Sequence, residues 1–414
     1  MACVRCDAPG APGALGCACG GLLEVRPAAP ALEGEALRAL FAARRASRAP
    51  EDRSGVWRYR ELVAPDLPVE AIVARGEGNT GLYPAPRLAA WVGLDRGALW
   101  LKHEGENPTG SFKDRGMCVG VSAALREGAR VLACASTGNT SASLASYAAL
   151  AGAPCVVFVP EGKVALGKLA QTVAYGARVL AVRGSFDTAM TLVDEAARAY
   201  GLGLLNSINP WRIEGQKAIA LEVLDDLGWS PPDWVVLPSG NLGNISALGK
   251  GLREARQAGL IDRLPRIAGV QAAGAAPFAR YMRDPRGDLV PEPRPETVAT
   301  AIRIGAPRSW EKARREVQAL DGGVLAVSDA ELLAAKAEID RAGVGCEPAS
   351  AASVAGLKRL VAEGRVARDA RVVAILTGHL LKDPETTVEL HRERGQVVVD
   401  GTLEAIGAAL AGLI

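Results

Sequence analysis

Short runs of apolar, often β-branched residues alternate with helical stretches of about ten to fifteen residues over most of the 414-residue chain. This alternation constrains the fold more than any other feature, because parallel strands need crossover helices, which then cover both faces of the sheet. The predicted strands are 98–103, 130–135, 155–159, 178–182, 203–207, 234–237, 266–270 and 371–376. The predicted helices include 141–150, 168–175, 186–200 and 214–227. We therefore expect an α/β fold with mostly parallel sheets.

Three segments depart from the alternation. Residues 1–30 form a leader that holds four of the eight cysteines, and 280–297 are rich in proline and charge. Residues 396–414 predict a short strand, a turn and an amphipathic helix. We expect the leader to be a small unit of its own and 280–297 to be an excursion on the surface.

The composition excludes several kinds of partner. With 48 basic and 46 acidic residues the net charge is +2, and aromatic residues make up only 4%, so neither nucleic acid nor a membrane surface is an expected partner. The longest apolar stretch, 147–160, is shorter than the about 20 residues that span a bilayer. The first residues lack the pattern of a secretory signal, so we expect a cytoplasmic protein.

Histidine-dependent hydrolases are also disfavoured. The three histidines are His103, His379 and His391, and their positions show no metal-ligand spacing. No G-x-S-x-G motif for a nucleophilic serine occurs near any of them. The chemistry must therefore be sought in other residues.

Two loops that follow predicted strands are rich in hydrogen-bond donors. Ligands of open parallel sheets bind where strands end and helices begin, and a helix N-terminus attracts anions. Residues 136–141 offer four hydroxyl groups, an amide and a glycine, which suits an anion, although a plain helix cap needs only one of them. Residues 238–244 contain Gly240 and Gly243, which let the backbone close on a phosphate, although a structural turn remains the alternative.

Lys113 lies in the first turn of a helix predicted after the loop 107–112, where Ser111 can act as the cap. A cation at this end opposes the helix dipole, which lowers the pKa of its amine and favours a nucleophile or Schiff-base partner. Taken alone, a solvated surface lysine is the more common interpretation. Thr377 ends another predicted strand, where a simple turn is the more common interpretation.

Taken together, these segments resemble the fold type II pyridoxal-phosphate enzymes, the tryptophan synthase β-like family, and most closely the threonine synthases within it. The matching segments are 108–115, 136–140, 164–168, 206–207, 209–210, 212–217, 240–244, 346–351 and 376–379. Their order and spacing hold from about Gly76 to Pro384. One departure is Gly81, where the family usually has proline, and we expect it to loosen a turn and leave the chemistry unchanged.

The resemblance implies a role for each matching residue. Lys113 would be catalytic, forming the Schiff base with pyridoxal phosphate and then moving protons. The cofactor-binding residues would be Lys113, Asn139, Gly240, Asn241, Leu242, Gly243, Asn244 and Thr377. The substrate-binding residues would be Ser136, Thr137, Gly138 and Thr140 for one anionic group and Asn206, Ser207 and Arg212 for a phosphate.

The implied reaction converts O-phospho-L-homoserine and water to L-threonine and phosphate. The resemblance also implies a homodimer with a large cofactor-binding lobe formed by 31–110 and 212–414, and a small mobile lobe formed by 111–211. Other fold type II enzymes, such as threonine dehydratases and cysteate or cysteine synthases, are the alternative, and an enzyme of O-phosphoserine is the hardest to exclude. A non-catalytic zinc-ribbon protein is a further alternative.

The leader contains Cys3, Cys6, Cys17 and Cys19 among glycines. Structural zinc uses four such ligands in a tetrahedron, and Cys3 and Cys6 have the usual spacing. The second pair is one residue closer than usual. The leader is therefore either a small zinc ribbon or a segment with four reduced thiols.

Overall fold

The computed structural model describes residues 1–11, 13–162, 166–392 and 398–411. Its strands are β1 (Ala2–Cys3), β2 (Leu23–Glu24), β3 (Leu82–Pro84), β4 (Leu99–His103), β5 (Leu132–Ala135), β6 (Cys155–Pro160), β7 (Arg178–Val182), β8 (Gly203–Leu204), β9 (Trp234–Pro238), β10 (Arg266–Ala272), β11 (Gly323–Val327) and β12 (Val372–Leu376). Every predicted strand is present, which confirms the α/β class.

The helices alternate with these strands along the chain. They are α1 (Gly34–Ala46), α2 (Arg60–Val63), α3 (Pro86–Val92), α4 (Lys113–Arg126), α5 (Asn139–Leu150), α6 (Leu166–Ala174), α7 (Phe186–Tyr200), α8 (Pro210–Asp226), α9 (Gly243–Gln257), α10 (Pro277–Tyr281), α11 (Trp310–Ala319), α12 (Asp329–Arg341), α13 (Pro348–Ala362), α14 (Pro384–Leu390) and α15 (Leu403–Leu410). Within the described residues, no helix has the length and apolar character needed to cross a membrane.

The larger sheet has the strand order β11-β10-β9-β12-β4-β3. All neighbouring pairs are parallel except β3 with β4. Every residue of the central strands β9 and β12 is buried, as expected for parallel strands covered on both faces. Because these strands are parallel, the segments that follow β4, β9 and β12 meet at one edge of the sheet.

The smaller sheet has the order β7-β6-β5-β8, and all of its strands are parallel. Its residues fall within 111–211, and those of the larger sheet fall outside that range. The mobility of this part and the assignment of 31–110 and 212–414 to one lobe stay predictions. A third, antiparallel pair of β1 and β2 belongs to the leader.

Several details differ from the sequence-based expectations. The strand predicted at 203–207 has only two residues, because Leu204 is followed by a turn that leads to the Asn209 cap of α8. Strands β3 and β11 were not predicted; β3 has only three residues, whereas β11 has five, as several predicted strands do. The predicted excursion at 280–297 is confirmed between 285 and 297, which contains no helix or strand.

At the C-terminal end the predicted helix is confirmed as α15, with Thr402 accepting a hydrogen bond from Ala405 N–H as its cap. The strand predicted before it falls partly on 393–397, which lie outside the described residues. Residues 164 and 165 of the matching segment 164–168 also lie outside them.

Gly81 precedes β3, and its backbone N–H donates a hydrogen bond to Glu106 Oε2 at 2.5 Å. Proline, the usual residue of the family at this position, has no N–H and could not make this bond. A Cβ at Gly81 would also lie 2.3 Å from the ring of Tyr83. The N–H group at this position thus bonds the turn to Glu106, and the looser turn stays a prediction.

Candidate active site

Lys113 is the first residue of α4 and follows a loop that is fastened to the end of β12. Phe112 N–H donates to the carbonyl oxygen of Thr377 at 3.1 Å, and His379 N–H donates to that of Gly110 at 2.9 Å. The predicted cap is wrong, because the hydroxyl of Ser111 is buried without a partner and Phe112 occupies the cap position. Tertiary hydrogen bonds, and not a local cap, therefore place Lys113.

The Lys113 amine lies in an enclosed position that is reached from a cavity, so the side chain keeps partial exposure. Burial and the nearby charge of Arg212 lower the pKa of this amine from its ordinary 10.5 to about 7, although Glu347 acts in the opposite direction. Its Nζ atom lies 3.5 Å from the centroid of the Phe112 ring. A large fraction of the amine is therefore neutral near pH 7, as a nucleophile or general base requires.

The loop between β9 and α9 lines one side of the same cavity through Gly240, Asn241, Leu242, Gly243 and Asn244. Leu242 has a left-handed backbone with φ of +66°, which is uncommon for a residue with a side chain. The first N–H groups of a helix have no partner within the helix, so the start of α9 supplies donors for an anion.

Arg212, in the first turn of α8, lines the cavity beside this loop and is 1% exposed. In the described parts of the chain no carboxylate forms an ion pair with it, and its Nε is buried without a partner. Its Nη1 donates a hydrogen bond to the carbonyl oxygen of Leu205 at 3.1 Å. Burial lowers the pKa of this guanidinium to about 10. A buried cation without a counter-ion is costly, and a bound anion would remove that cost.

Asn139, at the start of α5, reaches the cavity from the smaller sheet. Its Nδ2 donates a hydrogen bond to Glu347 Oε2 at 3.1 Å, which joins the two sheets across the cavity. The rest of the loop, Ser136, Thr137, Gly138 and Thr140, is partly exposed and does not line this cavity. The structure thus brings Asn139 to Lys113, while the substrate contacts of its four neighbours stay predictions.

Glu347 was not given a role from the sequence, although it lies in a matching segment. It lines the cavity with 5% exposure, and its Oε1 lies 3.4 Å from the Thr377 hydroxyl. Burial raises the pKa of this carboxyl group, against the hydrogen bond from Asn139 that lowers it. The sequence shows only that Glu347 precedes Pro348, the first residue of α13. That Glu347 lies near Lys113 depends on the tertiary structure.

The other predicted residues take different positions. Thr377 lines the cavity, and its hydroxyl lies 3.0 Å from that of Ser350. Ser207 also lines it and accepts a hydrogen bond from Asn241 Nδ2 at 2.5 Å. Asn206 does not, because its amide is bonded on both sides to the backbone of Ala135, at 3.0 Å each. The structure therefore gives Asn206 a positioning role for the end of β5.

These residues together suit a phosphate-bearing ligand. The cavity has a volume of about 80 Å³ and continues into open solvent. Both polar atoms of the Asn244 amide are buried without partners, as is Nε of Arg212. Buried polar groups normally have partners, so the donors Asn244 Nδ2 and Arg212 Nε indicate a ligand with acceptor oxygens, whereas Asn244 Oδ1 would need a donor. A phosphate near the start of α9 and an aldehyde near Lys113 fit this arrangement, so the residues present suit pyridoxal phosphate.

Comparison of the chain with known proteins identifies the family to which it belongs. Residues 73–378 match the family described as pyridoxal-phosphate dependent enzyme. The chain is also 51% identical over 359 residues to the threonine synthase of Methanosarcina acetivorans, which covers 86% of this chain and 87% of that protein. The chain belongs to the threonine synthase family. A threonine synthase from Methanocaldococcus jannaschii is 46% identical over 389 residues, covering 93% of this chain and 92% of the relative.

A solved threonine synthase from Escherichia coli has a similar fold, with a TM-score of 0.67 and 19% identity, covering 94% of this chain and 88% of that structure. At this identity the likeness concerns the fold alone, and it confirms the fold type II architecture. The family match confirms the resemblance drawn from the motifs, with pyridoxal phosphate as the cofactor. Membership of the threonine synthase family argues against the alternative of a non-catalytic zinc-ribbon protein.

Proposed function

We propose that the chain converts O-phospho-L-homoserine and water to L-threonine and inorganic phosphate. The observation that carries this proposal is the placement of the Lys113 amine, with a pKa of about 7, in one cavity with the unpaired Arg212. The reaction needs a base that accepts and returns protons near neutral pH and a cation that receives a phosphate.

The loop 240–244 would hold the phosphate of pyridoxal phosphate through its N–H groups, and the Asn244 amide would add a further donor. Asn139 would bind the hydroxyl group of the ring, and Thr377 would face the ring nitrogen as a neutral partner. When bound, pyridoxal phosphate supplies the electron sink that allows a proton to leave a carbon next to an amino group. Residues of the chain would bind the substrate and move its protons.

Lys113 would remove the proton from Cα of the substrate and then a proton from Cβ, after which phosphate leaves from Cγ. Lys113 would return one of these protons to Cγ, which becomes the methyl group of threonine. Water would then add its hydroxyl group at Cβ and give its remaining proton to the released phosphate, and Lys113 would return the second proton to Cα. Because the amine is enclosed and its pKa lies near neutrality, it serves both as acceptor and as donor without a large change of free energy.

Arg212 and Ser207 would bind the phosphate of the substrate, and Arg212 offers two parallel N–H donors to it. Asn206 would support them by holding the end of β5, with any direct contact of its own still a prediction. Ser136, Thr137, Gly138 and Thr140 would clasp the carboxylate at the start of α5. We further propose that the small lobe 111–211 closes on the substrate to bring this loop into contact.

The test is phosphate release by purified enzyme from O-phospho-L-homoserine and, separately, from O-phospho-L-serine, with threonine measured as the product of the first. We expect turnover of O-phospho-L-homoserine with equal amounts of threonine and phosphate. Turnover of O-phospho-L-serine alone would overturn the proposal, because both substrates carry the phosphate that Arg212 can bind. Lys113→Ala is the control for background hydrolysis.

We also propose a homodimer that works in the cytoplasm and binds no nucleic acid. All eight cysteines are free, which suits a reducing compartment, and the balanced charge suits a small-molecule enzyme. Light scattering of the purified protein would give the mass of the assembly, and a mass near that of one chain would contradict the dimer.

A further inference from the structure

The four leader cysteines lie together, and none of them lines the active-site cavity. The Sγ atoms of Cys3, Cys6, Cys17 and Cys19 are all within 4.8 Å of one another. Cys3 and Cys19 have their sulfurs 3.4 Å apart, and Cys6 and Cys17 have theirs 3.7 Å apart. A disulfide would need about 2.05 Å, and all four thiols are free.

These separations match a tetrahedral metal site. Zinc bound by four thiolates at about 2.3 Å places each pair of sulfurs about 3.8 Å apart. An all-sulfur tetrahedral ligand set favours zinc over the harder divalent cations magnesium and calcium. The closer spacing of Cys17 and Cys19 in the sequence does not prevent the arrangement, since both sulfurs reach the cluster.

The backbone around the cluster is shaped for close packing against sulfur. Arg5 N–H points to Cys3 Sγ at 3.4 Å, an N–H to sulfur contact on the first cysteine loop. In the second loop, Cys17 N–H donates to the carbonyl oxygen of Gly21 at 2.8 Å. A Cβ at Gly21 would lie 2.7 Å from Cys3 Sγ and 2.9 Å from Arg5 Cβ, so only glycine fits there.

We propose that Cys3, Cys6, Cys17 and Cys19 bind one structural Zn²⁺, and that the metal-bound leader braces the large sheet's helices α9 and α11. The leader chain continues from the cluster into β2 and Val25. Backbone carbonyl groups of this segment accept hydrogen bonds from two buried lysines, one on each of these helices. Without the metal, β2 would lose the loops that hold it in place.

The contacts of β2 with the body are buried. Lys312 Nζ on α11 donates to the carbonyl oxygen of Leu23 at 2.6 Å, and Lys250 Nζ on α9 donates to that of Val25 at 2.5 Å. The two lysines are 3% and 5% exposed, so water is a poor substitute for these carbonyl groups, although Lys250 is also paired with Glu214. Arg315 forms two hydrogen bonds with Glu24, at 2.7 and 2.9 Å.

Two further contacts attach the cluster itself. Arg5 donates to the carbonyl oxygen of Cys19 at 3.2 Å and pairs with Glu311 on α11 at 2.9 Å. Leu15, between the two cysteine pairs, packs against the apolar cluster of the smaller sheet that includes Val193 and Leu204. The leader therefore contacts α11 and the apolar cluster of the smaller sheet. Helix α9, which it contacts through Lys250, begins at Gly243, within the loop 240–244.

The first experiment measures metal content of the purified enzyme with its cofactor. We expect about one zinc per chain, and almost none in the double variant Cys6→Ser with Cys19→Ser, which changes the two exposed ligands. Cys155→Ser, outside the cluster, is the matched control and should keep its zinc. Wild-type enzyme without zinc after incubation with zinc chloride, with four titratable leader thiols, would overturn the proposal.

The second experiment tests the brace by hydrogen exchange of the wild-type enzyme before and after zinc removal with a chelator. We expect exchange in residues 2–25 to accelerate on the order of tenfold or more, with a smaller acceleration in 243–257. Arg315→Met, which weakens the docking but leaves the ligands, should keep its zinc while exchange in 2–25 rises. Unchanged exchange on zinc removal would contradict the bracing role even if the metal is present.

Discussion

Two buried arginines, Arg115 on α4 and Arg212 on α8, lie on neighbouring helices in opposite electrostatic surroundings. The helices approach closely: a Cβ at Gly215 would lie 1.9 Å from the carbonyl oxygen of Arg115, and one at Gly116 would lie 2.9 Å from that of Arg212. Neither arginine side chain is more than 1% exposed. The two sites therefore differ in their partners and not in their depth.

Arg115 belongs to a network in which every charge is paired. It bonds both oxygens of Glu104, at 2.6 and 2.7 Å, and both oxygens of Glu222, at 2.7 and 3.2 Å. Lys102 also pairs with Glu222, at 2.7 Å. Burial lowers the pKa of Arg115, but the two carboxylates raise it more, so that it ends well above its ordinary value.

Arg212 and Lys113 face the cavity without such partners, and burial lowers the pKa of both. The paired network fixes the start of α4 two residues after Lys113, whereas the unpaired groups remain available to a ligand. Burial alone therefore does not distinguish the candidate functional charges of this protein from the structural ones. The candidate functional charges are the two buried cations that line the cavity and form no ion pair with a carboxylate in the described residues, whereas the buried Lys312 bonds the backbone of Leu23.

The largest effect is expected at Lys113. Lys113→Ala should reduce turnover on the order of ten-thousandfold or more, because it removes both the base and the attachment point of the cofactor. The cofactor-free protein should not be destabilised, since a poorly solvated amine is removed. Turnover measurements and thermal unfolding of the cofactor-free variant check both statements. A strong loss of stability would place Lys113 with the paired network instead.

The opposite pattern is expected at Arg115. Arg115→Met should lower the free energy of unfolding by about 3–5 kcal/mol, because Glu104 and Glu222 are left buried without their cation. Denaturant unfolding measures this change. Arg198→Ala removes an exposed ion pair with Asp194 and is the matched control, with an expected change below about 1 kcal/mol. Equal effects of the two variants would contradict the distinction.

Arg212 is expected to affect binding more than stability. Arg212→Leu should raise the KM for O-phospho-L-homoserine about tenfold to a hundredfold, because a charge-assisted hydrogen bond to the substrate is lost. The free energy of unfolding of the cofactor-free protein should change little. Arg212→Lys keeps the charge and should lose less. If the visible absorption of bound cofactor disappears while KM stays unchanged, Arg212 serves the phosphate of the cofactor instead.

The smallest effect is expected at Glu347, which tunes Lys113. In the cofactor-free wild type, the rate of capture of added pyridoxal phosphate should rise with pH to a plateau above about pH 7, since the neutral amine reacts. Glu347→Gln removes a neighbour that favours the charged amine, so the midpoint should move to lower pH, with turnover at neutral pH changed by about tenfold or less.

The sign of the linked stability change provides an independent check on Lys113. Its pKa in the folded protein is about 7, against an ordinary value of 10.5. Between these values the unfolded chain binds more protons, so this group should make the free energy of unfolding rise with pH. Lys113→Ala should remove that contribution. An unchanged slope in the variant, or a capture midpoint near the ordinary value, would contradict the lowered pKa.

Much of the fold was predictable because it depends on local patterns. Alternating strands and helices indicated parallel sheets, and Ser185 and Thr188 form the capping box that starts α7 at the predicted residue. The three residues of β3 are too few for a reliable period. Which strands belong to which sheet also depends on contacts far apart in the sequence.

The sequence by itself determined the family and the α/β architecture, because the order and spacing of the matching segments and the alternation of strands and helices are properties of the chain alone. It also predicted Lys113 and the loop 240–244 as parts of the site. Only the tertiary structure decided that Arg212 has no carboxylate partner, that Asn206 is bonded to the backbone of Ala135, and that Glu347 meets Asn139. The physical reason is that pairing and desolvation depend on what lies within a few ångströms in space, and the neighbours that matter here come from separate helices and strands.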